Sequence, residues 1–194
     1  MLCPSPPTLT RTEQRTILRV SARNLRDHPV YSLAMGTGLR LSEIVGLNTG
    51  EVYLPKGLPR TPIRLRPEIV KNDRAGDVFL PDALLAKFRK FWRQKVGRRE
   101  GLQPEDALFC SQRRTRISPR RVQFSFRTWQ VRGGFDRLYP FHSLRHSAIT
   151  AVYRASRDLF LAQRFARHVS PLTTTVYTHP SDQELWASVR WLNC

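Results

Sequence analysis

The amino-acid sequence predicts a mixed α+β fold that is mainly helical, with one small three-stranded antiparallel sheet. Stretches with apolar residues at helical spacing occupy both ends of the chain, and short β-branched runs fill the part from Glu51 to Pro81. Of the 194 residues 40% are apolar, which suffices for one packed core. The sequence contains no internal repeat, so we expect one folded domain over residues 10–194 behind a flexible, proline-rich segment of residues 1–9.

Three helices are predicted ahead of the sheet. Thr10 and Glu13 have the spacing of a capping box, which favours a helix beginning there. A second helix is predicted over residues 28–36 and is interrupted by glycines, the last of them Gly38. A short helix with an apolar stripe follows Arg40, which therefore lies at a junction between a turn and a helix.

The middle of the chain is predicted to form the sheet and one long helix. The strands are expected at residues 51–54, 62–66 and 76–81. Lys71 falls on the hairpin that leads to the last strand. The helix is expected over residues 81–96, because apolar side chains there recur at helical spacing opposite lysines and arginines. A loop follows, crossed by a short strand at residues 107–110.

The rest of the chain is predicted to be helical. The helices are expected over residues 119–130, 141–156, 158–168, 171–179 and 181–192. The last of them has Leu185, Trp186, Val189 and Leu192 at helical spacing. This apolar stripe could pack on its own core or dock on a neighbouring molecule.

The charge of the chain narrows its partners. Lysine and arginine number 33 against 15 aspartate and glutamate residues, a net charge of +18. Such a charge attracts polyanions, with nucleic acid first and an anionic membrane surface second. Only five of the 33 are lysines, and arginine suits bidentate contacts to phosphate, although the base composition of a genome explains an arginine excess equally well.

The sequence disfavours several classes of protein. Cys3, Cys110 and Cys194 are odd in number and widely spaced, which indicates neither a disulfide framework nor a zinc site. No apolar run approaches the ~20 residues needed to cross a bilayer. The start of the chain also lacks the apolar core of a signal peptide. We therefore expect a cytoplasmic protein that uses no metal, no cofactor and no membrane.

Three potential cations, His142, Arg145 and His146, lie together at the start of one C-terminal helix. His142 and Arg145 are three positions apart and so share one face of it. Because a helix N-terminus favours anions, cations in that place indicate a negative ligand nearby. Each candidate residue also has an ordinary explanation: a surface arginine beside a turn for Arg40, a helix cap for His142, a core aromatic for Tyr177 and a solvated hairpin charge for Lys71.

Four segments of the chain, in this order, resemble the signature segments of the catalytic domain of the tyrosine recombinase (phage integrase) family: GTGLRLSEIVGLN, a basic residue on a β-hairpin, HSLRHSAIT and RHVSPLTTTVYTH. The resemblance covers about residues 10–185, nearly the whole chain. It implies two arginines on the scissile phosphate, a histidine before the second arginine, a hairpin lysine, a second histidine and a tyrosine nucleophile. The matching residues are, in that order, Arg40 and Arg145, His142, Lys71, His168 and Tyr177.

The resemblance implies a site-specific recombinase or integrase, as in mobile elements, that cuts and rejoins double-stranded DNA through a covalent 3′-phosphotyrosine. Two arginines would neutralise the charge that builds on the phosphate, without a metal. His142 would help to deprotonate Tyr177 and Lys71 would protonate the leaving 5′-oxygen. His168 would hydrogen-bond a phosphate oxygen. Family members assemble as tetramers, so we expect a homo-oligomer (tetramer) on DNA and a monomer in free solution.

The sequence departs from the family pattern in three ways. Arg167 stands where the family usually has glycine, so either Arg167 adopts a left-handed conformation or the helix ends differently. The hairpin is slightly longer than usual, which makes Arg74 an alternative to Lys71. The N-terminal core-binding domain of family members is expected to be absent, because little precedes the catalytic region.

Two other functions stay open at this point. The chain could be a non-catalytic DNA-binding relative that regulates an intact recombinase, or a strand transferase of the type IB topoisomerase kind. A basic structural protein of the kind bound to ribosomal RNA is disfavoured, because it gives no reason for the ordered set of arginines, histidines and tyrosine. Tyr177 favours an enzyme over a pure binder, which needs no nucleophile.

Overall fold

The computed structural model describes residues 7–70, 76–177, 186, 189 and 190. The helices are α1 (Arg11–Ser21), α2 (Asp27–Thr37), α3 (Leu41–Gly46), α4 (Thr49–Val52), α5 (Asp82–Arg98), α6 (Pro119–Arg132), α7 (His142–Ser156), α8 (Leu159–Ala166) and α9 (Leu172–Thr175). The strands are β1 (Ile63–Leu65) and β2 (Gly76–Val78), and short 3-10 turns cover Pro55–Gly57 and Pro67–Ile69. The predicted fold class, mainly helical with a small antiparallel sheet, is confirmed.

The sheet consists of β1 and β2, paired antiparallel with Ile63 opposite Val78 and Leu65 opposite Gly76. Ile63 and Leu65 are fully buried, whereas Arg64 between them is exposed. This alternation is that of a strand with one face on the core and one in water.

The prediction of a third strand is wrong. Glu51 and Val52 instead belong to the turn of α4, because the Glu51 side chain accepts a hydrogen bond from the backbone of Asn48 and caps that turn. Tyr53 keeps only an isolated bridge to Pro59. The strand predicted at residues 107–110 is reduced to isolated bridges at its two ends. The helix predicted over residues 181–192 lies outside the described residues except at positions 186, 189 and 190.

The capping box at the start of α1 is confirmed. The Thr10 hydroxyl accepts from the Glu13 backbone at 3.2 Å, and the Thr10 backbone donates to the Glu13 carboxylate at 2.6 Å. The same carboxylate accepts from the Tyr139 hydroxyl at 2.9 Å. This contact holds α1 against the segment that leads into α7.

An aromatic cluster joins α2, α6 and the residue before α7. The Tyr31 ring lies 5.3 Å from the Phe126 ring, and Phe126 lies 5.5 Å from Phe141 with an edge-on geometry. All three side chains are buried, and the Tyr31 hydroxyl is 2.9 Å from the Ser125 hydroxyl. Because α2 ends at the turn before α3, this cluster fixes the start of α7 relative to the start of α3.

Three features of the described residues concern membrane spans, metal ligands and cysteines. Within them no helix is long and apolar enough to cross a membrane. In the same part of the chain, no three His, Cys, Asp or Glu side chains come together as metal ligands. Cys110 is buried with its thiol unbridged, and Cys3 and Cys194 lie outside the described residues.

Candidate active site

Arg145 lies in the first turn of α7 and is 2% exposed. Its guanidinium donates to the backbone carbonyls of Gly38 and Ala166, the second at 2.6 Å. Burial, and next the charge of Arg40, lower the pKa of Arg145 to about 10, so it remains a cation at neutral pH. The two carbonyls therefore fix this cation between the turn before α3 and the end of α8.

Gly38 explains the glycine-rich sequence before Arg40. Its φ of 62° is in the left-handed region, and a Cβ at this position would lie 3.0 Å from the Phe165 ring. Any other residue here would therefore have both a strained backbone and a close contact between its Cβ and the Phe165 ring. The turn that glycine permits presents the Gly38 carbonyl to Arg145 and leads directly to Arg40.

Arg40 is held by a buried carboxylate, that of Glu43. As the N-cap residue of α3, Arg40 donates its backbone N–H to Glu43 Oε2 at 2.7 Å and its Nη1 to Oε1 at 3.0 Å. Glu43 is 0% exposed, and Arg167 Nη2 donates to the same Oε2 at 2.7 Å. One buried carboxylate therefore holds two guanidinium groups, while the Arg40 side chain keeps 24% of its surface exposed.

The turn between α8 and α9 carries His168. Arg167 ends α8 with a φ of 55°, so the left-handed alternative raised by the sequence is the correct one. His168 Nδ1 is 2.9 Å from the Thr174 hydroxyl of α9, and the Gln163 side chain donates to the His168 carbonyl at 3.1 Å. These contacts fix the backbone and the ring of His168.

Tyr177 is half-buried and is the last residue of the continuous described stretch 76–177, where its ring lies between two histidine rings. Its hydroxyl oxygen is 2.6 Å from His146 Nδ1, and its ring is stacked on His168 with 6.2 Å between centroids. Burial raises the pKa of Tyr177, whereas the charges of Arg145 and Arg40 lower it. The net shift is upward, so the phenol is protonated at neutral pH in this structure.

The histidines of the site are neutral at pH 7. Burial lowers the pKa of all three, and lowers those of His146 and His168 to about 4. The next cause is the charge of Arg145 for His142 and His168, and the neighbouring His142 ring for His146, because protonation of one ring disfavours protonation of the other. His142 meets His146 edge-on, with ring centroids 4.5 Å apart. A neutral imidazole can accept a proton, which is the state that a general base requires.

Five of the six predicted site residues share one site. The charges of Arg40 and Arg145 act on the histidines and on the tyrosine. The residues brought together are Arg40, His142, Arg145, His168 and Tyr177. Lys71 and its alternative Arg74 lie outside the described residues, so the hairpin cation stays a prediction.

Sequence reasoning assigned no role to two residues of this site. His146 stands four positions after His142, a spacing that places both on one helix face, and it is His146 that contacts the phenol. Glu43 stands three positions after Arg40, the spacing of a capping box, which could have signalled its contact with the Arg40 backbone.

The chain is similar to known proteins of the phage integrase family over most of its length. A model of the phage integrase family matches residues 7–184. The tyrosine recombinase XerC of Azotobacter vinelandii is 36% identical over 163 residues, which are 84% of this chain and 50% of that protein. XerC of Yersinia pestis is 34% identical over 163 residues, 83% of this chain and 50% of that protein. The chain spans about half the length of these curated relatives.

Two solved structures are similar in fold. The XerA recombinase has a TM-score of 0.78 at 23% identity, over 98% of this chain and 65% of that chain. The XerH site-specific recombinase, bound to its difH substrate in a pre-cleavage complex, has a TM-score of 0.77 at 23% identity, over 98% of this chain and 56% of that chain. At this identity the two structures support the fold alone.

Proposed function

Since the chain belongs to the phage integrase family of tyrosine recombinases, we propose that it is the catalytic part of a site-specific DNA recombinase that forms a 3′-phosphotyrosine at Tyr177. One observation carries this proposal. The Tyr177 hydroxyl lies 2.6 Å from His146 Nδ1, in a site where the charges of Arg40 and Arg145 both act on the phenol. These positions support the proposal, because the reaction requires a nucleophile, a proton acceptor and two cations for the phosphate in one site.

We assign the first proton transfer to His146. As Tyr177 Oη attacks the phosphorus, its proton passes to Nδ1 of the neutral His146 ring, which requires the tautomer with that nitrogen unprotonated. His142, the residue that the sequence suggested for this step, packs edge-on against His146 and orients it. The attack leaves a Tyr–O–P bond in place of the P–O bond to the 5′-oxygen.

The two arginines neutralise the growing negative charge. A phosphodiester gains charge on its non-bridging oxygens as the fifth oxygen attaches, and bidentate guanidinium groups match that geometry. Arg145 is already fixed by two carbonyls, so little reorganisation is needed when a phosphate binds. The leaving 5′-oxygen takes its proton from the hairpin cation, Lys71 or Arg74. Because the energy of the ester is kept in the phosphotyrosine, rejoining needs neither ATP nor a metal.

The proposal is tested by covalent capture on DNA. The substrates are nicked duplexes of randomised sequence. After cleavage the short strand between the cleavage point and the nick dissociates, so rejoining cannot occur and the intermediate is trapped. Incubation in excess EDTA should give a protein–DNA complex that survives denaturation. Tyr177→Phe should abolish the complex and leave DNA binding nearly unchanged, since the phenol oxygen is the attacking atom. Tyr153→Phe, a tyrosine of α7 outside the site, is the matched control.

The outcomes separate the alternatives. A covalent complex with Tyr177→Phe, or an absolute need for magnesium in cleavage, would overturn the proposal. DNA binding without any covalent complex would indicate a non-catalytic regulator. Relaxation of supercoiled plasmid without exchange between two duplexes would indicate a strand transferase of the topoisomerase kind.

A DNA substrate and the unbridged Cys110 thiol fit the cytoplasmic setting that the sequence predicts.

We further propose that copies assemble on DNA through the C-terminal segment. An apolar groove of about 900 Å³ runs between β2, α7 and α8, and Phe79 and Leu161 on its wall are 65% and 47% exposed. Trp186 is also 67% exposed. We expect residues 181–194 of one copy to occupy the groove of the next. Sedimentation should find a monomer without DNA, and removal of residues 181–194 should impair assembly on paired sites more than binding to one site.

A further inference from the structure

Arg167 differs from the other arginines that end helices in the left-handed conformation. Arg99 ends α5 with a φ of 51° and is exposed, whereas Arg167 ends α8 with a φ of 55° and has a side chain only 13% exposed. A left-handed arginine is strained relative to glycine, and burying its guanidinium adds a desolvation cost. The contacts of the Arg167 side chain must offset both costs.

The main contact of Arg167 is the carboxylate that also holds Arg40. Glu43 is 0% exposed, and its Oε2 accepts from Arg167 Nη2 at 2.7 Å while its Oε1 accepts from Arg40 Nη1 at 3.0 Å. If a fully buried carboxylate had only one cation as its partner, it would neutralise the charge of that cation. With Arg167 as the second cation, Glu43 holds Arg40 in place while leaving more of its positive charge for a ligand.

Two further observations describe the surroundings of the Arg167 side chain. Its Nε is buried and has no hydrogen-bond partner among the described residues. Its Cδ would lie 3.1 Å from a Cβ at Gly76, so the side chain passes beside the first residue of β2. The side chain thus lies beside β2 at its Cδ and pairs at its Nη2 with Glu43, the carboxylate partner of Arg40.

We propose that Arg167 is a positioning residue for strand cleavage, which holds Glu43 away from full pairing with Arg40 and so keeps Arg40 available to the scissile phosphate. The proposal rests on the proposed function for its cleavage readout, and on the contacts of Glu43 for its physical basis. It assigns a role to the residue by which this chain departs from the usual glycine.

The test compares Arg167→Gly and Arg167→Lys with Arg99→Gly, which makes the same change in the same backbone conformation outside the site. The rate of covalent-complex formation is measured on the nicked trapping duplex described above. It is measured again on the same duplex with a methylphosphonate at the cleavage point, which carries one fewer negative charge than the phosphodiester. Arg167→Gly should slow cleavage of the phosphodiester ~10-fold or more. Arg167→Lys should recover part of the loss, and Arg99→Gly should match the parent protein.

The methylphosphonate identifies the cause of the loss. If Arg167 acts through the charge on the phosphate, the defect of Arg167→Gly should shrink to roughly threefold or less on the neutral substrate. An equal loss on both substrates would show a merely structural role, and no loss on the phosphodiester would show no role. Either result would overturn the proposal.

A second measurement does not depend on cleavage. Inorganic phosphate should raise the Tm of Arg99→Gly more than that of Arg167→Gly, because only the second variant weakens the phosphate site. Equal shifts would overturn the inference even if cleavage occurs. If no variant and no parent protein forms a covalent complex, the proposed function fails, and the phosphate shifts alone then decide the role of Arg167.

Discussion

At the scale of single residues, the two arginines of the site are held by opposite means. Arg145 is buried and donates to two neutral carbonyls, so its charge is undiminished, whereas Arg40 is partly exposed and paired with Glu43. Removal of Arg145 would leave the carbonyls of Gly38 and Ala166 without this hydrogen-bond donor in the interior. Removal of Arg40 leaves Glu43 paired with Arg167. The two arginines should therefore contribute similarly to catalysis and differently to stability.

We predict that Arg40→Ala and Arg145→Ala each slow cleavage by about 100-fold or more, since each removes a cation from the transition state. Arg145→Ala should also lower the free energy of unfolding by about 1–3 kcal/mol, and Arg40→Ala by less. Capture rates and urea denaturation measure the two effects. Near-normal cleavage by either variant would remove that arginine from the site.

The histidines predict how stability depends on pH. His146 and His168 have folded-state pKa values of about 4, below the ~6.5 of an unfolded chain. Between these values the unfolded chain binds more protons, so the free energy of unfolding falls as the pH falls through this window and levels off below it. The urea midpoint should therefore drop between pH 7 and 5. The double variant His146→Gln, His168→Gln should weaken this dependence, and a slope equal to that of the parent protein would contradict it.

At the scale of elements, α6 presents one buried and one exposed phenylalanine. Phe126 is 1% exposed and contacts the rings of Tyr31 and Phe141, whereas Phe124 is 60% exposed. We predict that Phe126→Ala costs about 3–5 kcal/mol of unfolding free energy, because it opens a cavity where α2, α6 and α7 meet. Phe124→Ala on the same helix is the control and should cost within ~0.5 kcal/mol. Similar losses in urea denaturation for both variants would refute the assignment of this core.

The elements also show what a sequence pattern can and cannot predict. Long periodic segments such as α5 and α7 were predicted to within a few residues, because many apolar positions agree on one face. The strand at residues 51–54 was wrong because four residues satisfy a strand and a helical turn alike, and the cap by Glu51 decides between them. In the site, the motif predicts Arg145 as a phosphate ligand, and the structure places its charge beside Arg40 and His168. The choice of His146 over His142 as the partner of Tyr177 depends on how α7 packs against the chain after α9, which no local pattern encodes.

At the scale of the whole molecule, the net charge of +18 is not uniformly available to a ligand. Lys95 is 3% exposed and donates to the Leu108 carbonyl at 2.9 Å, and Arg116 donates to the carbonyls of Val45 and Leu47 at 2.8 and 2.9 Å. These cations serve the fold. The sequence of α6, in contrast, contains no acidic residue, and it exposes several arginines to solvent. This helix is therefore a candidate surface for DNA outside the active site.

We predict that DNA binding is steeply dependent on salt. If six or more cations lie on phosphates, affinity should fall about 1,000-fold or more between roughly 50 and 200 mM salt, because counterions are released on binding. Replacing Arg120, Arg121 and Arg127 of α6 with alanine should lower the slope of log affinity against log salt by ~1 for each arginine that contacts a phosphate. Arg99→Ala, an exposed arginine at the end of α5, should leave the slope unchanged. Fluorescence anisotropy with one labelled duplex measures all slopes. A slope near zero would exclude phosphate contacts as the source of affinity, and an α6 variant with the slope of the parent protein would place the DNA on another face.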